Sequence, residues 1–325
     1  MHRPVSNFQA EFERRRGHLR DPYVRDLAWL LDSPDVLDPE APQWQGKIAT
    51  LFDHQGAAID NWLIELDRAP EELRALIDSH AFARLGRYSE LLMAFFFRHQ
   101  QILHAHGLQV RAGKNDTVGE FDFLLLRAAH AGPPALLHWE FATKFYLLET
   151  SGAGRDADFL VGPNLADTLG AKMRKILERQ LTLSSHPAAQ IHLPQAVASA
   201  QALVKGWLFY PRTEAIGNVE VANSGVSEAH CRGYWCALSE VDSISGAHYR
   251  ILPRLSWLAP SRAPFNTCID KDALLAALNA HFEIDTLPVM VATMVQRGDV
   301  AVEVERGFIV PNDWRKRASA FVQAT

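Results

Sequence analysis

At 325 residues the chain can form one large domain with appendages or two domains, and its 48% apolar and 22% charged content is ordinary for a soluble globular protein. The longest apolar run, LLMAFFF (91–97), is far too short to span a bilayer, and three irregularly spaced cysteines supply neither a disulfide framework nor a zinc knuckle. A net charge of −5 argues against coating of nucleic acid by bulk electrostatics, but leaves room for a nucleic-acid enzyme whose acidic metal site lowers the net charge.

In chain order, Met1-His2-Arg3-Pro4 runs into charged residues with no apolar core, so no secretory signal is expected and a reducing cytoplasm fits. Helical spacing covers Pro22 to Leu31, then a Pro/Asp-rich stretch, 33–42, reads as a linker. Helices resume with Ile59, Trp62, Leu63 and Leu66, and after Pro70 with Leu73, Leu76 and Ile77. A long apolar helix is predicted over 87–107, stopped by Gly107. On it His104 and His106 fall on different faces, which assigns them structural roles. A short strand at 108–112 and a turn at 114–116 precede strands at 119–127 and 136–148. Asn164 is the expected N-cap of a helix over 165–183, followed by a strand over 202–211. Further strands (234–238, 249–252), a helix (270–282) and a hairpin over 300–310 turning near Arg306-Gly307 close the chain. A winged helix over 270–310 is an alternative. The pattern divides into a helical region (1–80), a core (81–212) and strands, helix and hairpin packed on it (213–325).

The core strands carry the chemistry. In HWEFATKFYL (138–147) alternation sends Leu137, Trp139, Phe141, Phe145 and Leu147 one way, with Thr143 among them, and His138, Glu140, Ala142, Lys144 and Tyr146 the other. A carboxylate and an ammonium among so many aromatics are costly to shield from water, which suggests a site. GEFDFLLL (119–126) adds Glu120 and Asp122 on one face of the neighbouring strand. Hard divalent cations take oxygen ligands, and a nearby lysine stabilises developing negative charge, so Asp122, Glu140 and Lys144 point to metal-assisted phosphodiester hydrolysis. Glu90, in the middle of YSELLMAFFF, is either a fourth member or a wet-edge charge paired with Arg87 or Arg98. Asp122 and Glu140 have their own plain reading, an exposed ion-pair network with Lys144, and Glu120 that of a strand-start charge. Lys172, Lys175 and Arg179 recur at i, i+3, i+7 as a phosphate track or a solvated face, opposite Leu169, Met173, Ile176 and Leu177. Gln180 is a weaker candidate.

The order helix, three strands, helix, strand, with Glu in the first helix, Asp in the second strand and Glu…Lys in the third, resembles the PD-(D/E)XK nuclease superfamily over about 85–211. More closely, GEFDFLLL, HWEFATKFYL, GPNLADTLGAKMRKILERQLTL and GFIVPNDW resemble the bacterial family of unknown function numbered 1853, over roughly Leu85 to Trp314. The resemblance implies an α/β (α+β) fold with a restriction-endonuclease-like mixed central sheet flanked by helices, a helical N-terminal extension and a small C-terminal α/β appendage. It implies Mg2+ (or Mn2+) held by Asp122, Glu140 and Glu90, Lys144 as catalytic lysine, and DNA as substrate. The superfamily usually separates its last acid and lysine by one residue. Here Phe141, Ala142 and Thr143 intervene, which leaves two outcomes: a rearranged site, or a fold that binds nucleic acid or protein without cleaving.

Overall fold

Capping chemistry and apolar spacing set the helices of the first hundred residues. In the computed structural model, which describes residues 7–51, 56–113, 116–128, 132–149, 156–212 and 224–324, the Asn7 side chain caps α1 (Phe8–Arg16). Asp21 caps α2 (Pro22–Asp32), accepting from the Tyr23 and Val24 amides, with Pro22 pre-set for the first turn. α3 (Ala57–Arg68) and α4 (Glu71–Asp78) bury Ile59, Leu63, Leu66, Leu73 and Ile77 at the expected spacing. The stretch 33–42 is no loose linker: Val36 and Leu37 are fully buried, and Leu37 forms a bridge with Val226.

α5 (Leu85–His99) stops well before Gly107. Gln101 takes a left-handed conformation (φ 58°), its amide bonds Arg98 O, and the Ile102 amide reaches back to Phe97 O. This double bond closes a helix, normally with glycine at the left-handed position; a glutamine does it here. Residues 103–107 therefore open β1 (Leu103–Gly113), which also absorbs the predicted strand at 108–112.

β2 (Asp116–Arg127), β3 (Ala135–Leu148) and the short β4 (Leu160–Val161) follow. α6 begins late, at Leu169–Lys175, capped by Thr168 rather than Asn164, because Leu165 adopts φ 55° and delays the helix. It continues into a π-helical turn, Ile176–Gln180, then the single-turn α7 (Pro187–Gln190) and β5 (Val197–Pro211). The chain ends with β6 (Cys231–Ala237), β7 (His248–Ile251), β8 (Arg262–Pro264), α8 (Lys271–Ile284), β9 (Val289–Arg297), β10 (Val300–Val310) and α9 (Trp314–Ala324). The final hairpin turns at Gly298 (φ 64°), not at Arg306-Gly307. Gly307 is mid-strand because a Cβ there would meet the Tyr234 ring at 2.3 Å, so it serves close packing rather than a turn. Among the predicted turns and loops, 114–115, 129–131 and 150–155 lie outside the described residues.

The ten described strands form one mixed sheet in the order β1-β2-β3-β5-β6-β10-β9-β7, with β4 on β3 and β8 on β10. β1-β2-β3 are antiparallel, β3-β5-β6-β10 parallel, and β10-β9-β7 antiparallel again. β9 and β10 thus lie inside the large sheet and do not form a separate wing, and the strands beyond 213 continue the sheet of the core. α5, α2 and α1 cover one face, packing on Trp139, Phe145, Leu147, Trp207 and Phe209; α6 covers the other over Tyr146, Leu148, Val204 and Leu208. The two sets on β3 are those expected from alternation. Among the described residues, no helix is long and apolar enough to cross a membrane.

Candidate functional site

β2 and β3 pair from Arg127↔Ala135 to Phe123↔Trp139 and then part. Asp122 is the first β2 residue past that last pair, and its Oδ2 accepts the Phe141 amide at 2.9 Å, holding the carboxyl in the fork. Side chains from both sheet faces can approach this gap. Glu90 comes from α5, on the Trp139 side, where Ser89 Oγ lies 3.0 Å from Thr143 Oγ1 and anchors the helix turn. That contact explains the one polar residue in an otherwise apolar set. Glu140 comes from the opposite side. Oxygens of Glu90, Glu120 and Asp122 lie within 4.8 Å of one another, and the Glu140 charge acts on Asp122.

Each acid has partners. Glu90, 7% exposed, takes the Arg87 guanidinium at 3.0 Å and His106 Nε2 at 2.9 Å. Arg87 also reaches Glu120 at 2.8 Å, so Glu90 is both buried and paired with the arginine expected for its plain reading. Glu140 Oε1 lies 2.9 Å from His138 Nε2, and its Oε2 accepts from Gln180 Nε2. Gln180 in turn accepts from Lys172 Nζ at 3.2 Å.

The electrostatics follow from burial and crowding. Burial, then the neighbouring Glu140 charge, pushes Asp122 up to about 7 against the pull of the Phe141 amide. Burial pushes Glu140 up to about 7 as well, opposed first by the Lys172 charge. Burial holds His138 down to about 4, so its ring is neutral at pH 7. If its Nε2 proton goes to Glu140, Nδ1 is left a bare acceptor, and it is buried with no hydrogen-bond partner. Lys172 sits below its usual value, mainly through burial, and repels Lys144 and Lys175 while attracted by Glu140 and Asp122.

Of the predicted residues, Glu90, Glu120 and Asp122 converge, and Glu140 is close enough for its charge to act on Asp122. Lys144 shares β3 with Glu140 but turns to Asp167, 3.4 Å away, where the Tyr146 hydroxyl also donates at 3.2 Å. Lys172 is the ammonium drawn towards the acids, while Lys175 and Arg179 are exposed. Sequence reasoning missed His106 because it placed the residue on a helix; on β1 it is stacked on Phe123 (centroids 5.3 Å apart) and aimed at Glu90. Arg87 was expected only as a partner of Glu90, and His138 and Asp167 were given no role there, though His138 was placed on the correct face.

Four acids against Arg87 and Lys172 leave a local excess of negative charge, and all their donors are hard oxygens. Such a set suits Mg2+ or Mn2+ rather than a soft metal, and Glu90, Glu120 and Asp122 are spaced closely enough to share one ion with modest adjustment. A family model described as Domain of unknown function (DUF1853) matches residues 25–310. No curated protein and no solved structure matches the chain.

Proposed function

The chain belongs to the DUF1853 family, and we propose that it is a divalent-metal-dependent phosphodiester hydrolase acting on nucleic acid, with DNA as the favoured substrate. The observation that carries this reading is the meeting of three carboxyl groups, from α5 and β2, where β2 and β3 part, with the Glu140 charge of β3 acting on Asp122. A restriction-endonuclease-like core is supported by the order α5-β1-β2-β3-α6-β5 and by a sheet in which three antiparallel strands are followed by a parallel fourth. Residues 81–212 form that core in this reading, with 1–80 and 213–325 as its additions.

Glu90, Glu120 and Asp122 would hold the metal, with Glu140 beside Asp122. When bound, the ion supplies charge compensation for the phosphoryl group and acidifies a water. Arg87 and His106 orient Glu90, and His138 and Gln180 orient Glu140 from two sides. Lys172 is placed to meet negative charge developing on the phosphate, the role expected of Lys144. Lys175 and Arg179, exposed beyond it, extend a basic track for the backbone of the substrate.

A second reading, binding without cleavage, is favoured by one observation: both Glu140 oxygens are engaged and Lys144 is held by Asp167. Cleavage of labelled duplex DNA with Mg2+, Mn2+ or EDTA separates the two. Hydrolysis is expected only with metal, lost in Asp122→Asn and Glu140→Gln. Lys172→Ala should lower the rate by about 100-fold and Lys144→Ala by less than about tenfold. No metal-dependent cleavage, with salt-sensitive binding weakened by Lys175→Glu, would establish the second reading.

A further inference from the structure

Away from the acids, a cleft of about 350 Å3 opens between the N-terminal half of α2 and the segment joining β7 to β8. That volume is at the small end of those that hold low-molecular-weight ligands. Four arginines line it, Arg20, Arg25, Arg250 and Arg262, with Asp26 the single acid among the lining residues. In a chain of net charge −5 this is a concentrated positive surface.

The charges are only partly neutralised internally. Asp26 is committed elsewhere: it accepts the Tyr88 hydroxyl at 2.7 Å and the Ala259 amide at 3.1 Å. Glu13 is shared by two guanidiniums, Arg262 at 3.0 Å and Arg25 at 3.4 Å. Arg25 is otherwise spent on the carbonyls of Arg16, Leu19 and Pro260, and Arg262 on that of Gly17. Burial holds Arg25 below its usual pKa, and the Arg262 charge pushes the same way. Arg250 has the Ser261 hydroxyl as its partner at 3.3 Å, and among the described residues no carboxylate pairs with Arg250 or Arg20. Two arginines without an acid partner therefore line one small concavity. That number and geometry match a dianionic oxyanion, which accepts paired N–H donors from more than one arginine.

We propose that this cleft binds a phosphate dianion, either free or carried by a small organic molecule, with Arg20 and Arg250 as the recognising residues and Arg25 and Arg262 fixing the positive field. The small volume suits a monoester end group better than a continuous polymer backbone. The proposal is independent of the hydrolase reading, since it uses neither the acids nor the strand fork.

The test is thermal unfolding in EDTA, titrated with inorganic phosphate, with adenosine 5′-monophosphate, with an unphosphorylated oligonucleotide, and with chloride at matched ionic strength. A saturable rise in Tm with phosphate or the mononucleotide, beyond that with chloride, is expected. Arg20→Ala and Arg250→Ala, which hold no buried group, should keep the parent's baseline Tm and weaken this binding at least about tenfold each. Arg250→Lys should recover part of it, and Asp122→Asn should bind like the parent. Equal response to phosphate and mononucleotide assigns free phosphate; tighter mononucleotide binding assigns a phosphorylated small molecule. A response equal to that of chloride, one unchanged in both alanine variants, or one seen only with the oligonucleotide overturns the proposal.

Discussion

Replacing Asp122 by asparagine should make the metal-free protein more stable. The carboxyl is raised from 3.8 to about 7, first by burial and then by the Glu140 charge, so the folded state holds a proton that the unfolded state releases across that window. Stability therefore falls as pH rises from about 4 to about 7, and above that the full cost of an ionised Asp122 is present. At about 1.4 kcal/mol per pH unit this is about 4 kcal/mol, with neighbouring groups relaxing to leave about 2–4 kcal/mol. Asparagine keeps an acceptor for the Phe141 amide and removes the charge. Urea unfolding in EDTA at about pH 8 should show that gain in Asp122→Asn with an unchanged slope, and at about pH 4 the two proteins should coincide. Mg2+ at ten times its dissociation constant should then stabilise the parent by about 1.4 kcal/mol and leave the variant unmoved. A variant no more stable than the parent at high pH, or equally gained at low pH, refutes the account of the acids as a crowded, desolvated cluster.

Other positions give independent checks. Gly206 pairs with Lys144 across β3 and β5, where a Cβ would fall 1.9 Å from the Lys144 carbonyl oxygen; Gly206→Ala should cost about 3 kcal/mol, and an unchanged urea midpoint would contradict this. Arg306, wholly buried, bonds Glu303 at 2.6 Å and 2.8 Å and the carbonyls of Trp257, Leu258 and Ala259, so Arg306→Met should lose about 3–5 kcal/mol, most of it regained when Glu303→Leu is added. His230, bonded to the Tyr210 hydroxyl at 2.7 Å, is held down to about 3 by burial, so the unfolded chain takes up its proton first. Stability should decline as pH falls from about 6.5 towards 3, and His230→Gln should flatten that limb of a urea-midpoint profile against pH.

The face assignments of β3 were legible because strict alternation with aromatics on one side leaves a single arrangement for a strand covered on both faces. The meeting of Glu90 and Asp122, with the Glu140 charge acting on Asp122, was legible for the same reason, as each acid interrupts a pattern that otherwise calls for burial. Lys144 was not, because its partner Asp167 arrives from a non-helical segment with no periodicity to read. The end of α5 was hidden by a glutamine in a left-handed conformation, and the last hairpin by a glycine that makes room for Tyr234. In both cases the glycine rule pointed to the wrong residue, since the fold used backbone strain in one place and side-chain volume in the other.

Inserting one residue between Ile176 and Gln180 would alter the acids without touching them. The Leu181 amide bonds Ile176 O across five residues, a wider loop than the four of an α-helix, so this turn already carries one residue more than regular winding. Excising one would be absorbed by a return to ordinary winding, whereas inserting one more would swing everything beyond by about 100°. Gln180 would then leave the Glu140 oxygen, while Leu169 and Met173, upstream, kept their seats on the sheet. Chain length in this short stretch therefore gauges the grip on Glu140, and homologous chains longer there by a single residue should differ in that grip even with every acid in place.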